Sequence, residues 1–140
     1  ASLLSQHRAT IGIQIPMLVS SLGRAWISWC GQEEREATLA LLRSRTDAIG
    51  ELARDGEYVK RMIRETRKRG YSMNRGEWAA EASVIAIAFP ILVGHHAIGA
   101  INLVLQRNAV TEREIAMRYV PRLRSLANEI SAGVAGSVRG

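Results

Sequence analysis

The sequence predicts an α/β (α+β) domain in which helices flank an antiparallel sheet and a long helix closes the chain. Three observations support this prediction. Two apolar runs, residues 83–93 and 97–105, are separated by Gly94-His95-His96, a short glycine-bearing stretch typical of a β-hairpin turn. Helical patterns precede the hairpin. After it, Thr111-Glu112-Arg113-Glu114 forms a capping box that begins a long final helix.

The first part of the chain predicts strands followed by a helix. Residues 3–8 and 11–19 are rich in branched apolar side chains, as strands or strand-like entries are. Residues 20–30 then predict a helix that begins at a serine cap and ends at Gly31. This helix therefore begins directly after an apolar stretch.

Two further helices are predicted before the hairpin. Residues 32–45 are acidic in the first turn and basic in the last, as the helix macrodipole favours. Residues 56–69 carry apolar positions on one side, and Gly70 ends this helix. Residues 46–53 are interpreted as a connection and residues 71–82 as a polar, glycine-containing segment.

The two strands of the hairpin and the final helix complete the predicted fold. Both strands are nearly continuous in apolar residues, so we expect both faces of the hairpin to be covered. We expect the final helix to continue to about Val138, with a kink at Pro121, because proline disrupts the helical hydrogen-bond ladder.

Composition indicates one domain of a cytoplasmic protein. The chain has 140 residues, of which 47% are hydrophobic and 23% charged. No uncharged apolar run reaches the roughly 18 residues of a membrane helix, and the first residues lack the pattern of a secretory signal. The single cysteine, Cys30, cannot form an internal disulfide. Together with three scattered histidines it is too little for a structural metal site, so we expect neither a metal nor a cofactor.

The charge leaves two interpretations open. The net charge is +6, and the excess is concentrated in residues 54–75. The basic residues of this run are Arg54, Lys60, Arg61, Arg64, Arg67, Lys68, Arg69 and Arg75. A solvated helix face is favoured, because no aromatic residue between Lys60 and Gly70 could stack on bases and no helix-turn-helix pattern is present. A small basic nucleic-acid-binding domain is the alternative function.

Catalytic groups are poorly represented, and we expect the chain not to be an enzyme. His95 and His96 fall in the hairpin turn, where exposed polar residues are ordinary. Cys30 ends an apolar helix that carries two tryptophans, which favours a buried structural thiol over a nucleophile. A small hydrolase that uses Cys30 or Ser20 is the weakest alternative.

Two features point to ligand binding. Residues 20–23 place backbone N–H groups and two hydroxyls at a helix N-terminus, which suits a carboxylate or a phosphate; an ordinary cap without a ligand is the alternative. Asn102 is a lone amide in an apolar strand, where an unpartnered amide is unfavourable. It either bonds a neighbouring group or faces a cavity.

Five segments resemble, in order, the effector domains of IclR-family bacterial transcription regulators. Leu22-Gly23-Arg24-Ala25 resembles the family's helix entry, and Arg67-Lys68-Arg69-Gly70-Tyr71 its glycine–tyrosine helix exit. Residues 84–91 and 98–103 are similar to the central hairpin, and Thr111-Glu112 begins a similar final helix. The resemblance covers nearly the whole chain. Within the family the chain looks most like activators of hydroxyphenylpropionate catabolism.

The resemblance implies a GAF-like ligand-binding domain over residues 1–140. Family members normally carry a preceding winged helix-turn-helix head, which contacts the DNA, and they form homodimers or homotetramers. In the resemblance, residues 3–8 correspond to the middle of the effector domain. We therefore expect the domain to be truncated at its N-terminus, with the DNA-binding head absent from this chain.

The resemblance also implies a pocket. The ligand carboxylate would sit at the helix entry, at Ser20, Ser21, Leu22 and Gly23. The remaining pocket positions fall on Met17, Val84, Ala86, Asn102 and Val104, with Trp26 and Trp78 as aromatic walls or, alternatively, as core residues. Some members carry a cysteine at the position of Ala86 and serines at those of Asn102 and Val104. A pocket with fewer hydroxyl groups and more hydrocarbon suits a larger and more apolar acid than glyoxylate or pyruvate. The expected effector is therefore a small aromatic carboxylate that controls the attached head.

Overall fold

A computed structural model of the protein describes residues 16–77 and 82–139. Within these ranges the chain forms helices, then a three-stranded antiparallel sheet, then a long helical segment. The helices before the sheet are α1 (Ser21–Trp29), α2 (Gln32–Arg43), α3 (Ala48–Arg54) and α4 (Gly56–Arg69). The strands are β1 (Ser72–Asn74), β2 (Val84–Val93) and β3 (His96–Gln106). The final segment consists of α5 (Glu112–Glu114), a π-helical turn (Ile115–Tyr119) and α6 (Val120–Arg139).

The chain enters α1 through a turn. The strands predicted over residues 3–8 and 11–15 lie outside the described residues, as does Trp78. Residues 17–19, predicted to continue a strand, form a turn instead, in which the Ser20 N–H donates to the Pro16 carbonyl at 3.1 Å. The prediction was wrong there because side chains from α1, α4 and β1, rather than a neighbouring strand, bond the carbonyls of this turn.

The four helices before the sheet follow their capping residues. The Ser20 hydroxyl caps α1, as predicted, and Gly70, with φ +90°, ends α4. Residues 46–53, interpreted as a connection, instead contain α3, whose N-cap Asp47 accepts from the Gly50 N–H at 3.1 Å. A helix this short has little periodicity to detect in a sequence, so its cap is the main signal.

The sheet has the order β1-β2-β3, and all its pairings are antiparallel. The hairpin of β2 and β3 is confirmed, with Ala86 opposite Val104 and Ala88 opposite Asn102. The predicted polar segment after α4 contains β1, which the sequence did not indicate, because a strand of three residues is too short to show alternation.

The two faces of the sheet meet different helices. Ile85, Ile87, Phe89 and Ile91 of β2 form a core cluster with the buried side of the final helical segment. The alternate residues of β2 therefore point to the opposite face, where α1 packs on both β2 and β3. A second apolar cluster joins α1 to α2, α3 and α4.

Strand β3 is only partly covered, which corrects the prediction that both faces of the hairpin are buried. Strand β2 is buried along most of its length, whereas β3 alternates, with Ile98 56% exposed and Val104 44% exposed. The reason is position: β3 is the edge of the sheet within the described residues, and β2 alone pairs with it there.

The final helical segment begins at the predicted capping box. The Thr111 hydroxyl accepts from the Glu114 N–H at 3.1 Å, and the Glu114 carboxylate accepts from the Thr111 N–H. A π-helical turn lies directly upstream of Val120 and Pro121, whereas the kink expected at Pro121 stays a prediction. Because Pro121 has no N–H, the Met117 carbonyl loses its α-helical partner, which favours a local change of register. None of the described helices is long and apolar enough to cross a membrane.

Candidate functional site

The N-terminus of α1 meets the sheet face formed by the alternate residues of β2 and β3. Asn102 of β3 donates from Nδ2 to the Ser21 hydroxyl at 3.5 Å, which joins the two elements. Ala86 lies opposite Val104, and strand alternation places both on the same face as Asn102. We call Ser20, Ser21, Ala86, Asn102 and Val104 the α1 entry site. Val84 continues this row of β2 and is half-buried.

The helix start presents donors to this site. The Ser20 N–H is bonded to Pro16, and the Gly23 N–H donates to the Ser20 hydroxyl at 3.0 Å. Helix geometry leaves the N–H groups of Ser21 and Leu22 without an intrahelical acceptor. They carry the partial positive charge of a helix N-terminus, so this end of α1 favours an anion.

Arg24 holds the turn that precedes α1 in place through hydrogen bonds. Its Nε donates to the Leu18 carbonyl at 2.9 Å and its Nη1 to the Met73 carbonyl at 2.8 Å. Tyr58 donates to the same Leu18 carbonyl at 3.0 Å, and Glu77 lies 3.5 Å from the guanidinium. Arg24 is only 8% exposed, so its guanidinium is a buried cation whose hydrogen bonds set the shape of the helix entry.

Strand β1 holds the same entry from the sheet side. Ser72 donates to the Ser21 carbonyl at 2.5 Å, and Asn74 donates to the Val19 carbonyl at 2.8 Å. The Asn74 side-chain oxygen also accepts from the N–H groups of Gly76 and Glu77. Asn74 therefore links the α1 entry to the turn that follows β1. Sequence reasoning missed Ser72 and Asn74; the one signal available was polar residues directly after a helix exit.

The other predicted pocket residues lie beside the entry or elsewhere. Leu22 is half-buried in the first turn of α1. Gly23 lies against the turn, since a Cβ on it would stand 2.4 Å from the Met17 carbonyl oxygen. Met17 and Trp26 both pack against the helical cluster around Leu18, which favours the core role that the sequence left open for Trp26.

The candidate nucleophiles are not activated. Cys30 is buried, and burial raises the pKa of its thiol. Its Sγ lies 3.6 Å from the Ile27 carbonyl, as expected of a structural thiol. His95 and His96 are exposed, and the Ser20 hydroxyl already caps α1. In the described part of the chain no cluster of His, Cys, Asp and Glu could hold a metal ion.

The basic run does not form one free surface. Arg54 donates to the carbonyls of Arg43 and Arg45, and Arg67 to that of Ser28. Arg69 donates to the Tyr71 carbonyl. Arg75 forms an ion pair with Glu112, with 2.6 Å between Nε and Oε1. Half of the eight cations therefore have partners within the protein, which favours the solvated helix face over a nucleic-acid interface.

Comparison with known proteins gives a family and a set of similar folds. Residues 2–132 match the family model described as bacterial transcriptional regulator IclR C-terminal. The IclR-family transcriptional regulator of Brucella abortus has a similar fold, with a TM-score of 0.68 and 24% identity over 87% of this chain and 45% of that one. The C-terminal domain of the Escherichia coli regulator KdgR has a TM-score of 0.70 and 20% identity over 89% and 74% of the two chains.

A third similar structure contains a ligand. It is a double mutant of the inducer-binding domain of the PobR transcription factor from Acinetobacter, in complex with 3-hydroxybenzoic acid. Its TM-score is 0.65, with 25% identity over 86% of this chain and 67% of that one.

The family model spans most of the sequence, and the similar folds confirm the arrangement of helices around an antiparallel sheet. The chain spans less than half of the Brucella regulator, 45% of its length. The chain belongs to the bacterial transcriptional regulator IclR C-terminal family.

Proposed function

We propose that this chain is the effector-sensing domain of a transcription regulator and binds a small aromatic carboxylate at the α1 entry site. The observation that carries the proposal is the contact between Asn102 and Ser21, which puts an amide and a hydroxyl beside a helix N-terminus. Membership of the family supports a regulatory role. The PobR domain, whose structure holds 3-hydroxybenzoic acid, supports the class of ligand.

The anionic end of the effector would bind the N–H groups of Ser21 and Leu22. These donors and the helix dipole favour a carboxylate, and charge-assisted hydrogen bonds are the stronger kind. The turn behind them is fixed by Arg24 and Asn74, so the donors are held in place before the ligand arrives. Such preorganisation lowers the entropic cost of binding.

The ring of the effector would lie along the sheet face. Ala86 has a small side chain and is 2% exposed, and Val84 beside it on β2 and Val104 opposite it on β3 offer hydrocarbon. Asn102 would then donate to, or accept from, a ring hydroxyl. Its amide has only one described partner, at 3.5 Å, and therefore retains hydrogen-bonding capacity for a ligand.

The regulator would act through its other parts. We propose that a winged helix-turn-helix head outside residues 1–140 contacts the DNA, that the protein works in the cytoplasm, and that the chain forms a homodimer or homotetramer. The effector would shift the geometry of the head only if it binds two conformations with different affinity. The closeness to activators of hydroxyphenylpropionate catabolism stays a prediction.

The experiment is a calorimetric titration with 3-hydroxybenzoate, 3-(3-hydroxyphenyl)propionate and their deoxy analogues. Ala86→Phe should fill the site and abolish binding. Asn102→Leu should weaken the hydroxylated acids by about 1–3 kcal/mol and leave the deoxy acids nearly unchanged. Asn108→Leu, in the exposed turn after β3, is the matched control and should change neither. Unchanged binding by Ala86→Phe would show that the site lies elsewhere.

A further inference from the structure

A groove of about 890 Å³ lies between α2 and α4, and its lining includes none of the residues of the α1 entry site. Leu39 and Ala40 of α2 and Val59 and Ile63 of α4 line its floor. Leu39 and Val59 are nearly buried, whereas Ala40 is exposed and Ile63 half-buried. The floor is therefore an apolar surface that is partly accessible to solvent.

Two arginines close one end of the groove, and both already donate hydrogen bonds within the protein. Arg35 donates from Nε to the Ile27 carbonyl at 2.8 Å, and Arg67 donates from Nε to the Ser28 carbonyl at 2.5 Å. Both therefore cap the C-terminal carbonyls of α1. Because Arg35 is near the start of α2 and Arg67 near the end of α4, the two helices run in opposite directions along the groove.

The rim of the groove carries cations without partners among the described residues. Arg43, Lys60 and Arg64 are exposed, and no described carboxylate forms an ion pair with any of them. Glu36 is the one acidic residue in the lining. The floor of the groove is thus apolar, and its rim is positively charged.

The spacing of these cations indicates which kind of ligand fits the groove. Lys60 and Arg64 lie one helical turn apart, roughly 6 Å, and Arg43 lies across the groove on α2. One carboxylate on a small acid would meet only part of this charge. A nucleic acid would set its phosphates against an apolar floor. An amphipathic helix with carboxylates one turn apart would match both the rim and the floor.

We propose that the α2–α4 groove is a docking site for an acidic amphipathic helix of a partner protein. The apolar side of that helix would cover Ala40 and Ile63, and its carboxylates would pair with Lys60, Arg64 and Arg43. This surface is separate from the α1 entry site, so the partner could bind whether or not an effector is present.

The test uses the 140-residue chain and a fluorescent synthetic peptide of about 18 residues, long enough for about five helical turns. The peptide carries leucines at i, i+3 and i+4 spacing, flanked by glutamates. We expect saturable binding by fluorescence anisotropy that weakens as salt is added, because surface ion pairs are screened. A peptide with lysine at each glutamate, and one with serine at each leucine, should not bind.

Matched variants locate the binding. Ala40→Trp should obstruct the groove and weaken binding at least about tenfold. Ala37→Trp, exposed on the same helix but outside the lining, should leave it within about twofold. Arg64→Glu should weaken binding more than Arg61→Glu, which makes the same charge change on the other flank of α4.

Two results would overturn the proposal. The first is peptide binding that Ala40→Trp and Arg64→Glu leave unchanged. The second is no binding of the acidic peptide, whether or not dodecanoate or duplex DNA binds and is lost in Ala40→Trp. Circular dichroism of each variant shows that it is folded before its binding is compared.

Discussion

Gly23 and Arg24 are neighbours in α1 and shape the same turn by opposite means. Gly23 allows the turn to approach, because any Cβ there would stand 2.4 Å from the Met17 carbonyl oxygen and 2.6 Å from its Cα. Arg24 then fixes the turn, because its Nε donates a hydrogen bond to the Leu18 carbonyl. The proposed anion site thus depends on one residue for its lack of a side chain and on the next for a long one.

Gly23→Ala should destabilise the domain by more than about 2 kcal/mol, because backbone atoms would have to move. Gly133→Ala is the control. Gly133 is exposed in α6 with nothing within 4 Å of the added Cβ, so alanine should stabilise the helix by up to about 1 kcal/mol. Urea unfolding of both variants measures the difference. Equal effects would mean that the turn yields without strain.

Individual site residues were predictable from the sequence only where local rules apply. Ser20 is a helix cap, and its role follows from the residues next to it. The bonds of Ser72 and Asn74 reach back 51 and 55 residues, and nothing in their neighbourhood indicates those partners. The contact of Asn102 with Ser21 spans 81 residues. The sequence therefore indicated that Asn102 needs a partner but could not identify Ser21 as that partner.

At the scale of elements, the sequence predicted the longer helices well, but it predicted the burial of the strands poorly. The bounds of α4 are those expected, because a clear amphipathic pattern begins at Gly56 and ends at Gly70. Strand β1 was missed because three residues are too few to show alternation, and because its polar residues are buried by bonds to the distant α1 entry. The exposure of β3 was also missed, since an apolar strand pattern does not show whether a further strand covers its edge.

The cap of α3 predicts a pH dependence. Hydrogen bonds from Arg45, and then from the Gly50 N–H, lower the pKa of Asp47 to about 2 from its ordinary 3.8. A lowered pKa means that the charged form stabilises the fold. This stability is present above about pH 4 and is lost as the pH falls towards 2.

Carbon NMR of the Asp47 carboxyl group measures this titration directly. Arg45→Gln removes the largest cause, so the pKa of Asp47 should rise towards its ordinary value in that variant. The destabilisation caused by Asp47→Asn, measured by urea unfolding, should be larger at pH 7 than near pH 2. A difference that does not change with pH would show that the charge of Asp47 does not stabilise the fold.

For the whole molecule, the distribution of charge predicts how the chain meets DNA. Half of the cations in residues 54–75 bond the protein itself, and Lys60 and Arg64 stand over an apolar floor. We expect this chain alone to bind DNA weakly, without sequence preference, and to release it between low and moderate salt. A gel shift with operator and scrambled duplexes tests this. A salt-tolerant, selective shift would restore the nucleic-acid-binding alternative.

The final helical segment predicts how copies of the chain meet one another. Ile115 and Leu123 are buried on the sheet, and Tyr119 is half-buried there. Leu126 and Ile130 stay 48% and 36% exposed, one helical turn apart on α6. The sheet therefore covers only part of the apolar positions of this helix, and we expect the remainder to contact a second copy.

Leu126→Glu combined with Ile130→Glu should convert a self-associating chain into a monomer, because burying two carboxylates in an apolar interface is unfavourable. Sedimentation velocity at tens of micromolar measures the change. Ser125→Glu with Asn128→Glu adds the same charge at exposed positions of α6 that do not share the Leu126–Ile130 side, and should leave the association intact. A parent chain that is already monomeric, or a control pair that dissociates equally, would place the contact between copies on another surface.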